Sequence, residues 1–312
     1  MQTIASFLVP RRIHLPPAEE RLIEVAPGIK VRCWCRWQPP TERAKALTLI
    51  VAHGLEGSSD SQYMTGVAQK ALAAGMSVVL MNQRNCGGMD HFAPTLYNSS
   101  LSGDVAAVAR HVVQNEGVAR FALLGFSMGG NLVLKLAGEW GNRGPAEFQV
   151  VAAVCPAMDL AASADALHEP SNRIYEWYFL LQLFRRLQRK AKFFPDKFDL
   201  ARLRGVTSLR QFDDRVTAHY CGFAGADDYY ARAAAANVVD RIAVPALIIH
   251  AANDPFIRVL PETARRIRAN PKLTFIETED GGHCAFLGER NGAGDDGRWA
   301  ERAVVEFVGR FA

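Results

Sequence analysis

No apolar run in this sequence is long enough to span a bilayer as a helix. Its first ten residues carry no positive n-region and only a short apolar stretch, so neither a transmembrane anchor nor a secretory signal is expected. Charge of one sign is also lacking. A formal net charge of +4 over 312 residues is too weak to suggest a nucleic-acid partner. Repeats and low-complexity segments are absent, and a balance of 49% hydrophobic to 22% charged residues argues against a disordered chain. Cysteine is sparse. Of Cys33, Cys35, Cys86, Cys155, Cys221 and Cys284, only the first two are close, and no spacing matches a zinc pattern. A C-x-C on a strand points both thiols to one face, and free thiols, buried or half-buried, in a reducing cytosol are expected. A cytoplasmic protein without metal or cofactor follows as the expectation.

What is present is a rhythm. Extended stretches at 22–25 and 29–37 are separated by Pro27-Gly28, a turn signal that predicts an antiparallel hairpin. Continuous apolar runs follow at 47–52, 77–81, 121–124, 150–155, 246–249 and 273–276. Continuous rather than alternating apolarity suits strands buried on both faces of a parallel sheet. Helical patterns fit between them at 63–74, 104–113 and 131–140, with two more late in the chain at 261–269 and 298–311. Alternating strands and helices predict one α/β domain over 1–312, a mostly parallel sheet with helices on both faces. Residues 157–237 break the rhythm with no strand and a helical, partly basic composition, which predicts a helical lid inserted into the domain.

The strongest chemical signal is Gly125-Phe-Ser127-Met-Gly129, directly after one apolar run and before a helix. A G-x-S-x-G at a strand-to-helix junction is the nucleophile elbow. The serine must occupy a strained backbone on a tight turn, so its flanking positions cannot carry bulk. Chance gives roughly 0.1 such matches in a chain of this length, so the strand and helix on either side carry much of the inference. No G-K-[ST] follows, which argues against a phosphate loop. His53-Gly-Leu55-Glu-Gly57 follows the 47–52 run, where such folds supply the second oxyanion donor. By position the two donors are the Leu55 and Met128 amides. His53 is read as a residue that fixes this loop, and Glu56 as a solvated one.

A nucleophilic serine needs a base, and the base an orienting carboxylate, in the chain order Ser, acid, His. Asp254 and His283 each follow a late apolar run and meet that order. His14, His111, His168, His219 and His250 are worse placed, and Asp280 is too near His283 in sequence to face it.

Taken together, His53-Gly-Leu-Glu-Gly-Ser-Ser59, Gly125-Phe-Ser-Met-Gly-Gly-Asn131, Phe212-Asp-Asp-Arg-Val-Thr217, Gly222-Phe, Asp228-Tyr-Tyr230, Asn253-Asp-Pro-Phe256 and Gly281-Gly-His283 give a sequence that resembles the YheT-like branch of the α/β-hydrolases. That branch includes bacterial hydrolases, yeast medium-chain ester synthases and mammalian lipid hydrolases. The resemblance implies a charge-relay triad of Ser127, Asp254 and His283 acting on esters of acyl chains. Asn82-Gln-Arg-Asn-Cys-Gly-Gly88 departs from the Arg-Gly pairing of the branch, so Arg84 receives no role.

The expected activity is therefore that of a serine carboxylesterase on short- to medium-chain acyl esters, through an acyl-enzyme and with a small-molecule partner. Acyl transfer to an alcohol and thioester hydrolysis would use the same residues. A fold retired to a binding module is the reading from another class, and a dehalogenase is disfavoured because the elbow carries Ser rather than Asp. In the insertion, Ile174, Trp177, Tyr178, Leu181 and Phe184 recur at helical spacing. Trp177, Tyr178 and Leu181 are the expected acyl pocket, against the alternative that the stripe packs the lid. The basic run Arg185, Arg186, Arg189, Lys190 and Lys192 is read as a solvated helix face rather than a peripheral contact with anionic lipid.

Overall fold

A computed structural model describes Gln2, Thr3 and residues 11–290 and 295–312; most of the first ten residues read above lie outside it. Among the described residues, eight strands form one sheet in the order β1-β2-β4-β3-β5-β6-β7-β8. Strands β1 (Glu19–Ala26) and β2 (Ile29–Arg36) make the antiparallel hairpin that Pro27-Gly28 turns, and β2 lies antiparallel to β4. The other six, β3 (Thr48–Ala52), β4 (Ser77–Met81), β5 (Phe121–Phe126), β6 (Phe148–Val154), β7 (Ala246–Ala251) and β8 (Leu273–Thr278), run parallel.

The apolar runs are continuous because each strand feeds two cores. Alternate side chains of β3 show it: Ile50 and Ala52 join one buried cluster, Leu49 and Val51 the other. The first cluster is covered by α2 (Ser102–Glu116) and α3 (Met128–Trp140), through Val105, Val108, Ala109 and Val112 and through Leu132, Val133 and Leu136. The second is covered by α1 (Gln62–Ala73) and α8 (Trp299–Gly309), through Met64, Val67 and Ala71 and through Val304 and Val308. β8 departs from expectation. It is only half-buried, because it is the sheet's edge and has a neighbour on one side alone.

Register brings the C-terminal ends of the parallel strands level. Ala52 lies opposite Gly125, Phe126 opposite Val154, Val154 opposite Ile249, and Ala251 opposite Thr278. β4 and β5 lie on opposite sides of β3, so the chain reverses its direction of travel across the sheet there, and a crevice opens outside the strand ends. Between β6 and β7 the chain is helical, with α4 (Leu160–Leu167), α5 (Arg173–Phe193), α6 (Ala226–Ala233) and a turn of π-helix at Asp213–Ala218. α7 (Pro261–Ala269) links β7 to β8. No helix among the described residues is long and apolar enough to cross a membrane.

Candidate active site

Ser127 leaves β5 with φ 53° and ψ −119°, a backbone that non-glycine residues rarely adopt. The surrounding packing enforces it. A Cβ on Gly125 would meet the Gly129 carbonyl oxygen at 2.1 Å, and one on Gly129 would meet that of Ala52 at 2.3 Å. The elbow therefore closes only with glycine at both flanking positions. The Ser127 N–H donates to the Val154 carbonyl at 2.9 Å, and its own carbonyl accepts from Asn131 and Ala157. α3 begins at Met128, three residues before the sequence pattern suggested. Gly129 and Gly130 permit close packing of the first turn, where a Cβ would meet the Ala52 carbonyl and Pro156. Met128 is thus the first helical residue, and its N–H has no partner inside the helix. Asn131, buried in that turn, donates to the Ser99 and Ala233 carbonyls and accepts from the Ala235 N–H. The elbow is so tied to α6.

The loop after β3 is held by polar contacts. His53 is buried and pushed down to about 4 by that burial. Its Nδ1–H donates to the Gly54 carbonyl at 2.8 Å, and Nε2 accepts from the Gln83 N–H at 3.1 Å. It fixes the loop, as expected. Glu56 is a correction. Its side chain is only 6% exposed and pairs with Arg186, 8% exposed, at 2.7 and 3.0 Å. The Tyr97 hydroxyl donates to Glu56 Oε1 and accepts the Glu56 N–H. Glu56 itself holds φ 54°, one residue beyond Leu55.

The basic run is corrected with it. Arg186 and Lys190 face inward, and Lys190 is fully buried, donating to Asn85 Oδ1 and to the Asp90 and Ala93 carbonyls. Arg189 reaches Asp90 at 2.9 Å, while Arg185 and Lys192 stay exposed. The helix is amphipathic by position, but two of its buried places hold cations that loop 85–93 satisfies. Arg84, left without a role, forms a two-pronged pair with Asp104.

Asp254 follows β7, its carboxylate fully buried. Oδ1 accepts from the Phe256 and Ile257 N–H groups, and Oδ2 lies 2.8 Å from His283 Nδ1. Burial alone would raise this carboxyl, but the facing imidazole and the two backbone donors hold it below its usual value. In the same pair burial opposes the imidazolium, yet the Asp254 charge and hydrogen bond outweigh it and raise His283 above 6.5. The His283 loop is anchored by Asn253, which accepts from the Gly282 N–H and donates to Asp280, and by Thr3, which accepts the His283 N–H. The Phe256 ring packs on the imidazole at 4.4 Å. Asp280 thus serves Asn253 and not His283.

Two cavities meet at Ser127. An inner one of about 100 Å³ is lined by Leu55, Ser127 and Met128 together with Leu160, Phe179, Leu183 and Phe212. An outer one of about 670 Å³ is lined by Leu55, Tyr63, Ser127, Tyr178, Phe256 and His283. Of the three residues expected to form the pocket, Tyr178 lines the outer cavity, and Trp177 and Leu181 line neither. Trp177 is 66% exposed, because α5 turns its 179, 183, 186 and 187 face inward instead. Asp213 also lines the inner cavity. It accepts from the Thr217 and Tyr230 hydroxyls, both at 2.7 Å, and burial pushes it up to about 6. The motif 212–217 signalled it, but nothing in the spacing showed that it would enter a cavity.

Residues 48–289 match the family described as alpha/beta hydrolase fold. The putative esterase YheT of Escherichia coli is 33% identical, covering 92% of this chain and 84% of its own. The medium-chain fatty acid ethyl ester synthase/esterase 2 of Saccharomyces cerevisiae is 26% identical, covering 89% and 68%. Other curated relatives are longer, and the chain spans 57–58% of their length. A crystal structure of an esterase from Pyrococcus furiosus superposes with a TM-score of 0.63 at 17% identity, covering 97% and 96% of the two chains.

Proposed function

The chain belongs to the α/β-hydrolase family, in the company of esterases, and from that premise we propose that it is a serine carboxylesterase using Ser127, His283 and Asp254. The Ser127 hydroxyl attacks the ester carbonyl while His283 Nε2 takes its proton. Asp254 holds Nδ1–H, fixes the tautomer and stabilises the imidazolium as it forms. The Leu55 and Met128 N–H groups receive the oxyanion, each such donor being worth about 10²–10³ in rate. The alcohol leaves with the proton from His283, and water, activated by the same imidazole, releases the acid.

The observation that carries this reading is the strained Ser127 at the end of β5, sharing a cavity wall with an imidazole anchored on a buried carboxylate. The inner cavity supports an acyl site for short to medium chains. It is apolar, closed on one side by α4 and α5, and small. On this reading residues 157–237 form the lid. Ser127→Ala is the test: ester hydrolysis should fall by at least about 10⁴-fold with folding intact, as for other triads. Full turnover by that variant would end the proposal. The yeast relative's name, synthase as well as esterase, favours one second reading, acyl transfer to an alcohol. Ethyl ester formed in place of free acid, when ethanol is added, would support it.

A further inference from the structure

Three metal-ligating side chains converge beside Ser127 from distant parts of the sequence. Cys155 follows β6, and His283 and Cys284 follow β8. Their ligand atoms all lie within 4.8 Å of one another, and Cys284 Sγ is 3.9 Å from His283 Nε2. Asp254 occupies Nδ1, so Nε2 is the nitrogen left facing the thiols. Both cysteines hold left-handed backbones, with φ 43° and 60°, a conformation costly for a side chain with a Cβ. The Cys284 N–H donates to Cys155 Sγ at 3.5 Å, so the first sulfur already faces a hydrogen-bond donor. The thiols in turn reach the Gly282 and Val154 carbonyls, each at 3.6 Å.

We propose that Cys155, Cys284 and His283 Nε2 bind a thiophilic divalent cation, zinc being the natural candidate, and that the bound ion silences the hydrolase by occupying the nitrogen that must accept the Ser127 proton. The silencing rests on the proposed function; the binding does not. Zinc takes sulfur and nitrogen at about 2.0–2.3 Å, which places ligand atoms around a tetrahedral ion about 3.4–3.8 Å apart. The cluster is within an ångström or so of that spacing. Asp254 on Nδ1 is the outer partner that metal-bound histidines require, setting the tautomer and orienting the ring. Three protein ligands leave a fourth position for water. Binding exchanges two thiol protons for the ion, giving a neutral dithiolate site that suits burial. The ion has a route, because His283 and Cys284 line the outer cavity. A second possible group, Cys155 with His250 and Asp254, is wholly buried and would strip Asp254 from His283. No spacing motif shows the first group, since its ligands lie at the ends of strands that are not sheet neighbours.

The experiment is a cadmium titration of the purified chain, following the ultraviolet thiolate-to-cadmium absorption, with zinc as competitor. It is run on Ser127→Ala as well as on the natural sequence, so binding is read whether or not the hydrolase proposal holds. One equivalent should bind in both. Cys284→Ser, at a half-exposed position, should weaken binding at least about 100-fold, since changes to outer partners alone cost about 10–100-fold. Cys155→Ser should do the same where it folds, and His250→Gln should change nothing. Zinc should inhibit ester hydrolysis in proportion to occupancy. No absorption, or absorption undiminished in Cys284→Ser and so owed to other thiols, would overturn the site. Full occupancy with undiminished hydrolysis would overturn the silencing.

Discussion

The C-terminal ends of the strands and the helical insertion meet at Ser127 but are built on different terms. At the strand ends, backbone shape decides. Gly125 and Gly129 leave room for carbonyls that any Cβ would strike, Ser127 takes the strained turn that results, and aligned registers bring level the strand ends that precede residues 53, 127, 155, 254 and 283. In the insertion, long-range polar pairs decide. Arg186 reaches Glu56, Lys190 reaches the 85–93 loop, and Asp213 rests on Thr217 and Tyr230. The first kind of order is local and therefore written in short motifs. The second depends on what a distant loop offers.

The largest effect is expected at the strand ends. Asp254→Asn should lower kcat by about 10⁴-fold with little effect on KM, because it leaves the imidazole in the wrong tautomer. It should also change the pH response. Asp254 raises His283 above 6.5, so the neutral base forms only as pH climbs, and hydrolysis should rise through a midpoint above that value. Without the carboxylate the His283 midpoint should move down, which NMR titration of its ring protons would show. A midpoint unmoved in the variant would mean that Asp254 does not hold the base.

Next in size is the pair that joins the two regions. Arg186→Met leaves the Glu56 carboxylate buried and unpaired, and should cost about 3–5 kcal/mol in denaturant unfolding. Because Glu56 adjoins Leu55, the surviving folded enzyme should also lose kcat. Replacing both partners, Arg186→Met with Glu56→Leu, should recover part of the stability, since an apolar pair removes the unpaired charge while the Asn85 carbonyl and Tyr97 hydroxyl still lose a partner. Stability that returns without kcat would separate the packing role of the pair from its hold on the loop after β3.

These residues also mark how far the sequence could be read. The doubly buried parallel strands, the hairpin and the strand-turn-helix setting of Ser127 were legible, because period and turn chemistry follow from backbone geometry; chain order also put forward Asp254 and His283, which lie 2.8 Å apart. The face of α5 was not. Its apolar stripe through Trp177 and Leu181 competes with one through Phe179, Leu183 and Leu187, and only the buried partners of Arg186 and Lys190 settle the rotation. A cation at a core-facing position reads as solvated until the carbonyls that receive it are known. The cluster of Cys155 and Cys284 was equally hidden, being made by sheet order rather than by spacing.

The smallest expected effect follows from that rotation. Trp177→Ala, at an exposed position outside both cavities, should change unfolding free energy by no more than about 0.5 kcal/mol. It should leave kcat/KM for short esters unchanged, whereas Phe179→Ala should alter acyl-length preference in a nitrophenyl-ester series.

Whether one strained serine does the chemistry is read by labelling the intact protein with a fluorophosphonate and locating the adduct by peptide mass spectrometry. A single adduct on Ser127, formed in step with loss of ester hydrolysis, is expected; hydrolysis that persists with Ser127 fully modified, or that is lost with the adduct on another residue, would contradict a role for this serine as the nucleophile.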